Sequence, residues 1–139
     1  MKLEAATRAI KDCSERMNAV YGNVVFDEWA IVSFTSGKGT VTSYVGPRKE
    51  GFSKNFVNDL NALRTELLNT KHEIGDFDFA RHGTGTHFDA LMALGNEIYL
   101  ICNSTTDSIQ NITKNSRWLG AQVPFAELSE KFRADPVAE

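Results

Sequence analysis

The residues best suited to metal binding or catalysis lie between Arg81 and Asp89, where two histidines and a carboxylate occur close together. A four-residue loop at 83–86 would set His82 opposite His87 in a hairpin, with Asp89 two residues further along on the same face. Two imidazoles and a carboxylate on one face are a ligand set for zinc or non-haem iron. The pattern therefore gives the hypothesis of a divalent-metal site at His82, His87 and Asp89, and with it a metal-binding protein or metalloenzyme.

The same hairpin has a simpler interpretation, which we favour: a polar tip with two partly exposed histidines. Two histidines without a ligand from a distant part of the chain are a weak metal signal. Neither Gly37-Lys38-Gly39 nor Gly83-Thr84-Gly85 has the spacing of a phosphate-binding loop that opens a helix, and no Gly-x-Ser-x-Gly elbow occurs. Because no catalytic set stands out, we expect a protein that is not an enzyme and carries no cofactor.

The chain has two cysteines, Cys13 and Cys102, and no C-x-x-C spacing. Each lies on a predicted apolar face, and buried cysteine behaves as a small hydrophobic side chain. We therefore predict two buried free thiols; a disulfide or a reactive pair is the alternative.

Charge and hydropathy exclude several classes of function. The chain has 15 Lys and Arg against 18 Asp and Glu, a formal net charge of −3, and no clustered basic face of the kind that binds nucleic acid. No stretch approaches the ~20 apolar residues that span a bilayer. The N-terminal residues also lack the pattern of a secretory leader. We expect a soluble, cytoplasmic protein that binds no nucleic acid and does not insert into membranes.

Hydrophobic periodicity predicts a single domain at 1–133, followed by a tail at 134–139 that should fray. The first helix is typical, because Leu3, Ala6 and Ile10 begin an apolar stripe that continues to Val20. The predicted elements in chain order are a helix at Met1–Val20, a Trp29–Val45 hairpin whose second strand is Thr40–Val45, a helix at Ser53–Asn69, strands at Asp76–His82, Thr86–Leu94 and Glu97–Asn103, and a closing helical region.

The Glu97–Asn103 strand decides the predicted architecture. It is apolar on both faces, which is typical of a strand in the middle of a sheet covered on both sides. The order α-β-β-α-β-β-β-α therefore predicts an α+β fold: a three-layer α/β/α sandwich with a five-stranded antiparallel sheet and helices on both faces. We expect Gly95-Asn96 to form the two-residue turn before this strand, which would pair Leu94 with Glu97.

The closing region is predicted to begin at a cap formed by Thr105 or Thr106. Ile109 and Leu119 then continue a helical spacing of apolar residues. Pro124 interrupts that spacing and suits the first turn of another short helix.

This order of elements resembles the roadblock family, whose members share the profilin-like sandwich. The matching elements run from the Met1–Val20 helix to the closing helical region, so the resemblance covers nearly the whole chain. It implies a non-enzymatic regulatory or scaffold protein that forms a homodimer through its second helix and an outer strand. It also implies protein partners, often small Ras-like GTPases or motor and membrane-traffic complexes.

In the profilin-like strand order, the Asp76–His82 strand lies at a sheet edge, and an open edge is a template for pairing. We expect this strand and the Ser53–Asn69 helix to form a two-fold interface. The expected interface residues are Phe56, Leu60, Phe77 and Phe79. In the alternative interpretation, Asp76 and Asp78 repel a stray strand at this edge.

A second class of function is a small-ligand sensor. Related sandwiches with a five-stranded sheet can hold a ligand pocket between sheet and helix. For this chain such a pocket is expected beside the Ser53–Asn69 helix.

Overall fold

The computed structural model describes residues 1–47, 64, 65, 67, 69–79 and 88–138, and these form an α+β fold with a five-stranded antiparallel sheet and helices. The elements are α1 (Leu3–Tyr21), β1 (Glu28–Ser33), β2 (Thr40–Val45), β3 (Phe77–Phe79), β4 (Ala90–Gly95), β5 (Ile98–Asn103), α2 (Ile109–Lys114) and α3 (Trp118–Ala134). Of the predicted Ser53–Asn69 helix, residues 64, 65, 67 and 69 are described and helical. The rest, which includes Phe56 and Leu60, lies outside the described residues.

The strands lie side by side in the order β2-β1-β5-β4-β3. β5 occupies the centre and pairs antiparallel with β1 on one side and β4 on the other. β2 and β3 form the two edges, so the strand predicted at an edge lies there, described as Phe77–Phe79. β2 has the predicted bounds, whereas the strand predicted from Thr86 begins at Ala90.

Both faces of the central strand are buried, because alternate side chains enter two separate hydrophobic clusters. On one face Leu100 and Cys102 pack in a cluster with α1 and α3. On the other face Tyr99 and Ile101 pack in a cluster that includes Leu67. All residues of β5 except its last are buried. The prediction that this strand is covered on both faces is confirmed.

The turn between β4 and β5 differs from the prediction by one residue. Gly95 pairs with Ile98, so the two-residue turn is Asn96-Glu97, with φ values of +51° and +61°. Positive φ at both central residues is the signature of a type I′ hairpin turn. The ladder shifts between Ala93 and Gly95, which makes the buried Leu94 the extra residue of a β-bulge. The predicted pairing of Leu94 with Glu97 is wrong because the bulge moves Gly95 into the pairing position.

The closing region forms α2 and α3, and its caps differ from those predicted. Ser108, rather than Thr105 or Thr106, caps α2, and its Oγ accepts a backbone N–H from the first turn at 3.3 Å. Pro124 does not begin a short helix but lies inside α3. Leu119 does not continue the apolar face of Ile109, because α2 and α3 are separate helices with their own buried faces. Its side chain is 78% exposed.

The residues after α3 pack against the N-terminus instead of fraying. Val137 is 2% exposed and belongs to the cluster under α1 and α3. The Ala138 N–H donates to the Met1 carbonyl at 3.0 Å. The Met1 ammonium donates to Asp135 Oδ1 at 2.7 Å and to the Pro136 carbonyl at 2.6 Å. The expectation of a frayed tail is therefore wrong for residues 135–138.

Candidate functional site

The outer edge of β3 is the described part of the predicted interface. Just before this strand, the Gly75 N–H donates to the Ala93 carbonyl at 2.7 Å, and the Ala93 N–H donates to the Asp76 carbonyl at 2.8 Å. Backbone groups alternate in direction along an antiparallel strand. Asp78 pairs with Leu91 and therefore directs its N–H and C=O groups toward β4. Phe77 and Phe79, its neighbours in β3, direct their N–H and C=O groups away from β4, to the outer edge.

The side chains of Phe77 and Phe79 are engaged within the chain. Their ring centroids lie 5.3 and 5.4 Å from that of Phe125 in α3, and Phe79 lies 4.9 Å from Trp118. These separations are typical of favourable aromatic pairs. Phe77 is 36% exposed and Phe79 is half-buried. Both rings thus pack β3 against α3, and of these two rings Phe77 contributes the larger apolar surface at the edge.

α3 also holds the entry to β3 by hydrogen bonds. Ser129 Oγ, which is buried, donates to the Gly75 carbonyl at 2.5 Å, and Arg133 Nε donates to the Ile74 carbonyl at 3.2 Å. Gly75 has φ +91°, and a Cβ there would lie 2.5 Å from Arg133 Nε. Only glycine fits this close approach, so the start of the edge strand is set by α3.

The predicted metal site is described only in part, since His82 and His87 lie outside the described residues. Asp89 precedes β4, and its Oδ2 accepts the Ser104 N–H at 2.7 Å. Burial raises the pKa of Asp89, and the nearby Asp27 carboxylate raises it further, while the Ser104 hydrogen bond opposes both. Among the residues that the structure describes, no three His, Cys, Asp or Glu side chains are grouped to hold a metal ion.

The second carboxylate near this end of the sheet also has a structural role. Asp27 Oδ1 accepts the Thr105 N–H at 2.8 Å, and its Oδ2 accepts the Thr105 hydroxyl. Asp27 and Asp89 therefore each bind the backbone that follows β5, and together they fix the path of the chain into α2. Both carboxylates therefore accept hydrogen bonds from backbone N–H groups.

A buried carboxylate that the sequence analysis did not single out begins β1. Glu28 is 3% exposed, and Tyr44 Oη donates to Glu28 Oε2 at 2.7 Å across the β1–β2 pair. A charged group is rarely so buried unless it is paired. The interruption of the apolar run by Asp27-Glu28 was the available signal, but sequence spacing alone did not reveal Tyr44 as the partner.

Both cysteines are buried free thiols, as predicted. Burial raises the pKa of Cys13 to about 12 and that of Cys102 well above its ordinary value. Since the thiolate is the nucleophile and the metal ligand, these side chains are inert at neutral pH.

The described part of the chain has concavities of different character, of which three differ clearly in size and lining. A groove of about 120 Å³ between α1 and α3 is lined in part by the Arg16–Glu127 ion pair. A cleft of about 400 Å³ lies between the end of α1 and α2 and includes Asp107. The third, of about 350 Å³, has six lining residues with no ionisable side chain.

None of the helices in the described segments is both long and apolar enough to cross a membrane. Comparisons with protein families, with curated proteins and with solved structures find no match for this chain.

Proposed function

We propose that this chain is a non-enzymatic regulatory or scaffold protein that acts as a homodimer, as the resemblance to the roadblock family implies. The observation that carries the proposal is the outer edge of β3. Among the described residues no strand pairs with that side of β3. An open strand edge presents unpaired N–H and C=O groups that a second strand can bind.

A two-fold axis at this edge makes the two copies of β3 pair with each other. Such an interface is isologous, because the same residues meet from both sides, and two-fold dimers are the commonest oligomers. Strand addition would join the two sheets through backbone hydrogen bonds. Since β3 has three described residues, the edge alone buries too little area for a stable dimer, which needs roughly 1,000 Å² or more. The Ser53–Asn69 helix supplies the remaining surface in this proposal.

The contacts of β3 within its own chain indicate which of its groups would form the proposed dimer interface. Phe77 and Phe79 pack on Phe125, so their rings hold the strand in position and its backbone forms the seam. Asp78 Oδ1 accepts the Phe79 N–H at 2.9 Å, which lowers the availability of that outward group. The Phe77 N–H is therefore the outward donor best placed to pair across the axis.

The finer description of the fold belongs to the same proposal. We assign the chain a three-layer, profilin-like arrangement in the cytoplasm, with a small Ras-like GTPase as its class of partner. The central position of β5 and the burial of both its faces support the layered arrangement. A pull-down that recovers no nucleotide-binding protein would remove the GTPase partner and leave the homodimer untouched.

Amide hydrogen exchange of the full chain tests the proposed seam. The outward Phe77 N–H should exchange slowly at high protein concentration and faster on dilution, because a paired amide is protected and an open edge is not. The amides of β2, at the opposite edge, serve as the internal control and should not respond to concentration. If the Phe77 N–H exchanges fast at every concentration, the proposed β3 seam is wrong.

A further inference from the structure

The uncharged cavity lies on the sheet face covered by α1 and α3, away from the proposed dimer edge. We call it the tail pocket, because two residues after α3 form part of its wall. The tail pocket is lined by Leu3, Ile31, Thr42, Ile98, Val137 and Ala138. Its volume of about 350 Å³ falls within the range of about 300–1,000 Å³ typical of small-molecule sites.

The floor and the rim of the tail pocket differ in exposure. Ile31, Ile98 and Val137 form the floor, and each is at most 3% exposed. Leu3 and Thr42 are half-buried and Ala138 is exposed, so these three residues form the rim on the solvent side. Burying an unpaired charge in such a site costs far more than burying an apolar group. The lining therefore selects an uncharged and largely aliphatic ligand.

A β-bulge places the one polar side chain of this lining. The β1–β2 ladder shifts between Ile31 and Val32, which leaves Thr42 as the extra residue of β2. Bulges re-aim side chains and are over-represented beside functional sites. Thr42 Oγ1 donates its proton to the Ile31 carbonyl at 3.1 Å. The hydroxyl proton is thus committed to the Ile31 carbonyl, and the Thr42 oxygen keeps its capacity to accept a hydrogen bond.

The tail wall is held by specific contacts rather than by chance packing. The Ala138 N–H donates to the Met1 carbonyl, and the Met1 ammonium binds both Asp135 and the Pro136 carbonyl. Val137 is thereby held in the core cluster and closes one side of the tail pocket.

We propose that the tail pocket binds an uncharged, mainly aliphatic small molecule that carries one hydrogen-bond donor. The donor group binds Thr42 Oγ1, and the aliphatic part lies on Ile31, Ile98 and Val137. At about 30 Å³ of liquid volume per water-sized group, the volume suits a molecule of roughly ten heavy atoms. This assignment is independent of the homodimer, because none of its residues lies at the β3 edge.

Titration of the full chain with 1-octanol, followed by methyl NMR, tests the proposal. The methyl signals of Leu3, Ile31 and Ile98 should shift in a saturable manner. Those of Ile112 and Leu128, which lie in the same core cluster but do not line the pocket, should stay in place. Octanoate, which has a similar chain and a charged head, should bind more weakly than the alcohol.

Two matched substitutions test the location. Ala138→Leu fills the rim and should weaken octanol binding about ten-fold, the effect of displacing roughly two methylene contacts. Ala126→Leu makes the same change at an exposed position of α3 outside the lining and should leave binding unchanged. The proposal is overturned if the pocket methyls do not shift, if octanoate binds as tightly as octanol, or if both variants weaken binding equally.

Discussion

Replacing either of two neighbouring residues of β5 by alanine should destabilise the protein to a similar extent, because they lie on opposite faces of the sheet. Leu100 and Ile101 are both 0% exposed and belong to the two separate clusters. Each truncation removes three carbon atoms, and at about 0.8 kcal/mol per buried methylene the transfer free energy alone is about 2.4 kcal/mol. The cavity left behind adds to this, so we expect each variant to lose about 2.5–5 kcal/mol of unfolding free energy.

Urea unfolding followed by tryptophan fluorescence measures these losses, since Trp29 and Trp118 are both buried in the folded chain. Leu119→Ala is the matched control: it truncates an exposed leucine and should change the unfolding free energy by less than about 0.5 kcal/mol. If Ile101→Ala costs under about 1 kcal/mol while Leu100→Ala costs the expected amount, the sheet face that carries Ile101 is exposed to solvent. The burial of β5 on both faces would then be refuted.

Three further predictions concern single groups. Glu97→Gly should stabilise the chain by about 1 kcal/mol in the same urea assay, because glycine adopts the φ of +61° without steric cost; no gain would mean that the turn does not hold this conformation. Cys13, with a pKa of about 12, should react with a disulfide reagent at pH 8 only after unfolding, and rapid labelling of the folded chain would contradict its burial. The pKa of Asp89 is raised on folding, so its contribution to stability is greatest in acid and declines as pH rises from about 4 through the raised value. Asp89→Asn lacks this decline and keeps an oxygen acceptor for Ser104, so its melting temperature relative to the unaltered chain should rise between pH 4 and pH 7; a pH-independent difference would count against the assigned cause.

Features that depend on hydrophobic periodicity were predictable from the sequence. Burial is a sum over many residues, so a single misplaced side chain does not change the face that a strand presents to the core. Ala30 and Val32 enter one cluster, while Trp29 and Ile31 enter the other, as their alternation predicts. For the same reason the central, doubly covered position of β5 followed from its composition.

Features set by a single local contact were not predictable in the same way. Thr105 is a reasonable helix cap by type, but its hydroxyl and N–H bind Asp27, a residue far away in the chain, and Ser108 caps α2 instead. The bulge at Leu94 moved the turn by one residue. The packing of Val137 depends on contact between the two ends of the chain, which no local pattern reveals.

In the candidate interface, too, the position of the strand was predictable but its individual side-chain contacts were not. The edge position of its strand was implied by the resemblance to the profilin-like sandwich, whereas the contact of Phe77 and Phe79 with Phe125 was not predicted. Phe125 belongs to α3, which continues through Pro124, whereas the sequence pattern predicted a helix boundary at this proline. Long-range partners such as Tyr44 for Glu28 were likewise beyond what spacing alone can indicate.

Sedimentation equilibrium of the unaltered full chain tests the central proposal most directly. A homodimer joined at β3 predicts a concentration-dependent mass that approaches twice the 15.4 kDa of one chain. A mass that stays at that of one chain up to the highest soluble concentration would contradict the homodimer and the scaffold role proposed with it.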